Sequence, residues 1–155
     1  MMKAKEVLIT GITGTTFMTA FSYAVSLAEK ENYSEPERLG QLIHGLLPML
    51  NEEEYKTSGW TLHFAVGLLF AMVYIELWRK KMIKPTLVNN TLIGAASGII
   101  AAGIWKAAFK MHPLPPQLRF NKYYFQLVPA HIVFAVFAGI GYRIINSTDN
   151  KHNKT

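Results

Sequence analysis

The sequence has no cysteine among its 155 residues. That absence excludes disulfides, thiolate metal sites and a cysteine nucleophile. Charge is also scarce, at 17% of residues, below the roughly 25% usual in soluble domains. The stretch Val7–Ala28 holds no charged residue at all. No Ser-His-Asp arrangement, Walker loop or paired-carboxylate motif is visible, so a non-enzymatic protein is expected. Polar faces are missing too. A soluble four-helix bundle keeps one polar face on every helix, and the apolar segments here do not.

The sequence instead contains four apolar blocks: Val7–Ala28, Gly59–Trp78, Leu87–Phe109 and Tyr124–Ile145. Each has the length of a helix that spans a hydrocarbon core of about 30 Å. Glu76, Lys106 and Arg143 fall near block ends, where long side chains reach water. Trp60, Trp78, Trp105, Tyr123, Tyr124 and Tyr142 sit there as well, as in an aromatic belt. The expected fold is all-α: an integral membrane four-helix bundle forming one domain over residues 1–155.

VLITGITG near the start resembles the glycine turn of an extended short-chain dehydrogenase. Phe17 stands where the third glycine belongs, and no second strand with a terminal acid follows. The stretch is therefore read as transmembrane. Small residues recur every fourth position in all four blocks, for example Asn90, Gly94, Gly98 and Ala102, a pattern that lets helices pack in lipid.

Charge sorts by side. Lys3 and Lys5 precede the first block, Arg79, Lys80, Lys81 and Lys84 join the second to the third, and Arg143, Lys151 and Lys154 follow. The positive-inside rule then puts both termini in the cytoplasm of a multi-pass protein of the bacterial inner membrane. The net charge of +6 is explained this way, without nucleic acid. The first outer loop is acidic and the second basic (Lys110, Arg119, Lys122), which predicts attraction between them. Within the first, Ser34 and Glu37 have capping-box spacing. Leu39, Leu42, Ile43, Leu46 and Leu47 predict an amphipathic helix over 35–47, lying on the outer surface and ended by Pro48. The tail 146–155 is expected to fray.

The chain also repeats itself at an offset of 68 residues. His44, Leu46, Pro48, Leu50, Tyr55, His63 and Tyr74 match His112, Leu114, Pro116, Leu118, Tyr123, His131 and Tyr142. A weaker match pairs Leu8, Ile9 and Gly14 with Leu92, Ile93 and Gly98. The expectation is two helical hairpins in the same orientation. Four of the repeated residues are His44, His63, His112 and His131, all on the outer side. They are the candidate metal ligands, for a transition metal or a haem held between His63 and His131. Ser58 as a cap and Pro129 in a first turn would put His63 and His131 near helix N-termini, whose dipoles favour neutral imidazole. The alternative is that the histidines serve packing. Glu76 and Arg143 form the candidate structural ion pair.

LHFAVGLLFAMVY and PAHIVFAVFAGIGY resemble the H-x-x-x-G-x-x-x-G-x-x-Y helix of small, uncharacterised bacterial four-helix membrane proteins. The resemblance implies no activity. Three functions fit these observations: a ligand or metal binder at the outer face, an accessory subunit of a membrane complex, or an oligomeric transporter or channel. The partners expected are the bilayer and either a second copy or another membrane subunit.

Overall fold

The computed structural model describes residues 2–152, with side chains through Ser147. It contains five helices: α1 (Ala4–Glu29), α2 (Glu35–Leu46), α3 (Glu52–Arg79), α4 (Leu87–Met111) and α5 (Phe120–His152). No strand occurs among the described residues. The four long helices are long and apolar enough to cross a membrane. At 1.5 Å rise per residue even α4 is about 37 Å long. α5 continues through the segment expected to fray, as far as His152, and residues 153–155 lie outside the described part.

α1 lies between α3 and α5, α4 packs on the other side of α5, and α2 packs on α3. Small residues set these approaches. A Cβ added at Gly94 would stand 2.7 Å from the His131 carbonyl and from the Ile132 Cα. One added at Gly67 would meet the Thr15 hydroxyl, and one at Gly139 the Asn90 amide. In lipid, where apolar surface gains nothing by leaving solvent, such close backbone contact is what holds helices together. The ring is incomplete, because α3 and α4 do not pack closely against each other. Towards the end that carries the α3–α4 connection, Tyr74, Trp78 and Phe134 fill the centre, and the Tyr74 hydroxyl meets Ser97 Oγ at 2.6 Å across the gap.

Several local expectations change. Asn51, not Ser58, caps α3: its side chain accepts from the Glu54 N–H at 3.0 Å, and Glu54 accepts from the Asn51 N–H at 2.9 Å. The helix therefore starts seven residues before Gly59. Pro129 lies inside α5, where it leaves the Phe125 carbonyl without its helical N–H partner. Ser34 precedes α2 but makes no side-chain cap. Glu37 instead accepts from Tyr23 at 3.0 Å and from Asn32. α2 does not rest on the surface by one apolar face. Its Glu35, Pro36, Arg38, Gly40 and Leu42 are buried. Gly59 makes this fit, since any Cβ there would strike the Pro36 carbonyl and Gly40.

The α1–α2 and α4–α5 connections attract each other as their charges predict. Arg119 pairs with Glu31, its backbone N–H also donating to that carboxylate at 2.6 Å, and Lys122 pairs with Glu29. Near the end of α3, Glu76 pairs with Lys80 at 3.1 Å rather than with Arg143. The reason is local: Lys80 is one turn along the same helix, the favourable spacing for an acid followed by a base. Arg79 lies 3.9 Å from the buried Glu6 and ties α3 to α1.

Candidate functional site

Beneath α2, in the gap between α3 and α4, lies a cavity of about 170 Å³. All five helices contribute to its wall. Met18, Val66, Phe70, Ala101, Ile104, Trp105 and Phe134 make most of it apolar. Four polar residues interrupt that lining: Thr15, Glu35, His63 and His131.

Glu35 is only 2% exposed. One carboxyl oxygen accepts from Ser22 Oγ at 2.7 Å and from Gln126 Nε2 at 3.1 Å. The other, Oε2, is buried without a partner. Burial pushes this carboxyl up to about 7, and the Ser22 and Gln126 hydrogen bonds only partly oppose that. No cation is paired with it among the described residues. Arg38, also on α2, instead donates to the Asn32 carbonyl and to Gln41 Oε1.

His63 and His131 are 6% and 5% exposed. Each is the twelfth residue of its helix, about 16 Å from the helix start. The helix dipole acts only over the first turn, so it does not reach them. Hydrogen bonds fix their tautomers instead. His131 Nδ1 lies 2.8 Å from the Leu127 carbonyl, which only accepts, so Nδ1 carries the proton. The Thr19 hydroxyl donates to the Thr15 carbonyl at 2.8 Å and therefore accepts from His63 Nε2 at 2.9 Å. As neutral rings, His63 keeps a lone pair on Nδ1 and His131 keeps one on Nε2. Neither nitrogen has a protein partner among the described residues.

No protein-family model, curated protein or solved structure matches the chain.

The four histidines expected to share a centre separate into two pairs. His112 accepts from the Leu114 N–H on Nδ1 at 3.1 Å and donates from Nε2 to the Leu42 carbonyl at 2.9 Å. Both ring nitrogens are thus used in fastening the α4–α5 connection to α2. His44 packs tilted against Tyr55, ring centres 4.7 Å apart, and is not part of the cavity wall. Among the described residues, no group of three or more His, Cys, Asp or Glu is placed to hold a metal ion. A cavity of about 150 Å³ is known to hold a benzene ring, so the volume here suits one ring and not a haem macrocycle. Glu35, with Ser22 and Gln126 behind it, was not expected from the sequence. The available signal was a polar residue inside each of two apolar blocks, Ser22 and Gln126, which in a membrane helix demands a partner.

Proposed function

We propose that this is a multi-pass membrane protein that binds a small, lipid-soluble molecule carrying hydrogen-bonding groups in the cavity beneath α2. Glu35, His63 and His131 orient the ligand, and the apolar wall supplies most of the contact. One observation carries the reading: a partly open apolar cavity is lined by Glu35, whose second carboxyl oxygen is unpaired, and by two imidazoles that each keep one nitrogen without a protein partner. Leaving buried polar groups unpaired costs about 1–3 kcal/mol each. A ligand that pairs with them recovers that cost.

The repeat reading gains support from the helix contacts. Gly67 against Thr15 corresponds to Ala135 against Gly94, and Ala71 against Gly11 corresponds to Gly139 against Asn90. Both keep the 68-residue offset between α3 and α5. They pair α1 with α4 at an offset of 79, five short of the one the sequence match suggests. The two hairpins then differ mainly in that α1 closes on α5 while α3 stands away from α4, and that difference makes room for the ligand.

The test is stability before and after stripping the protein of native membrane molecules. Wild type is expected to lose melting temperature on stripping and regain it when an organic extract of those membranes is returned. Ala101→Phe, which fills the cavity, is expected to ignore both steps. A wild type indifferent to both treatments would leave the histidines as packing residues and the protein as an accessory subunit.

A further inference from the structure

We propose that the cavity selects a lipid-soluble aromatic diol, of the hydroquinone class, over ring compounds that offer only acceptors or no polar group. The inference rests on the ligand-site reading above and adds the chemistry of the ligand.

Hydrogen-bond direction sets the ligand class. His131 Nδ1 is committed to the Leu127 carbonyl, so its free Nε2 can only accept. His63 Nε2 is committed to the Thr19 hydroxyl, so its free Nδ1 can only accept. The Thr15 hydroxyl and Glu35 Oε2 are unpaired too, but both are buried against protein, the Thr15 hydroxyl against Gly67. A ligand with O–H groups at both ends donates to both imidazoles. A ligand with only carbonyl or ether oxygens meets a lone pair at each imidazole.

Shape narrows the class. Among the described residues, no group of three or more His, Cys, Asp or Glu is placed to hold a metal ion, which disfavours a point cation. The volume of about 170 Å³ suits a single substituted ring. The walls are aromatic, with Trp105, Phe134 and Phe70, whose ring stands edge-on to His131 at 5.4 Å. Entry is lateral. α3 and α4 are the neighbouring helices that do not pack closely, and both line the cavity, so a molecule dissolved in the bilayer reaches it between them.

The test uses the full-length protein in lipid nanodiscs, stripped of bound molecules, with titration calorimetry under argon. Three probes share one ring and differ in polarity: para-hydroquinone, 1,4-dimethoxybenzene and para-xylene. Hydroquinone is expected to bind about 10- to 100-fold more tightly than either of the others, the difference made by one unpaired buried group. His131→Leu is expected to bring hydroquinone down to the level of para-xylene. Thr19→Val frees the His63 tautomer and is expected to strengthen dimethoxybenzene binding, which provides a second readout should His131→Leu not fold. Dimethoxybenzene binding as tightly as hydroquinone overturns the proposal. So does a preference that survives both substitutions. If para-xylene binds and no preference appears, the cavity is a ligand site but not a diol site. If no probe binds, both readings fall.

Discussion

Replacing Glu35 by Gln isolates the least comfortable group in the protein. The carboxyl is 2% exposed, faces no cation among the described residues, and is pushed up to about 7 by burial. In the unfolded chain it titrates near its ordinary value of 4.5. Between those two values the folded protein holds a proton that the unfolded chain has released. Stability therefore falls as pH rises from about 4.5 to about 7 and levels off above. The displacement corresponds to about 3 kcal/mol of stability lost across that window. Glu35→Gln keeps the acceptor for Ser22 and Gln126 and removes the titration. Unfolding by denaturant in mixed micelles, followed by helical circular dichroism at about pH 5, 6, 7 and 8, reads the difference. Wild type is expected to weaken towards high pH while Glu35→Gln stays level, the two converging at about pH 5. Parallel curves at every pH would refute the assignment of this slope to Glu35.

Four further outcomes are expected. Gly94→Ala should destabilise by about 1–3 kcal/mol in the same unfolding assay, because the new Cβ meets backbone at 2.7 Å. Gly103→Ala, with no neighbour within 4 Å of its added Cβ, should leave stability unchanged. His112→Ala should cost about 1 kcal/mol, by loss of the bond to the Leu42 carbonyl, without weakening ligand binding, as competition titration can show. The cysteine-free sequence allows single cysteines to be placed in turn at Lys84 and Glu54; an impermeant maleimide added to intact cells should label Glu54→Cys and not Lys84→Cys.

The four long helices were legible in the sequence because a bilayer imposes length and apolarity on each span independently. So was the attraction between Glu29, Glu31 and Arg119, Lys122, since the loop charges are opposite and abundant. Helix starts were less legible. Ser58 and Asn51 both suit a cap, and only the chain path chose Asn51. The fit of α2 depends on Gly40 and Gly59, residues whose role appears only once two backbones meet. The candidate site was half legible. His63 and His131 stood out by repetition and by polarity in apolar blocks. Glu35 looked like one acid among several in a loop. Its burial depends on Ser22, 13 residues before it, and on Gln126, 91 residues after it, a meeting that no local pattern encodes. The repeat itself misled about His44 and His112: they join α2 to its surroundings, through Tyr55 and the Leu42 carbonyl, and do not line the cavity with His63 and His131.

Native mass spectrometry of the protein released gently from its own membranes tests the central claim most directly. The account predicts one small molecule per chain on the wild type, retained when bulk lipid is removed and absent from Ala101→Phe. A bare wild-type mass, or the same adduct on the filled variant, would contradict it.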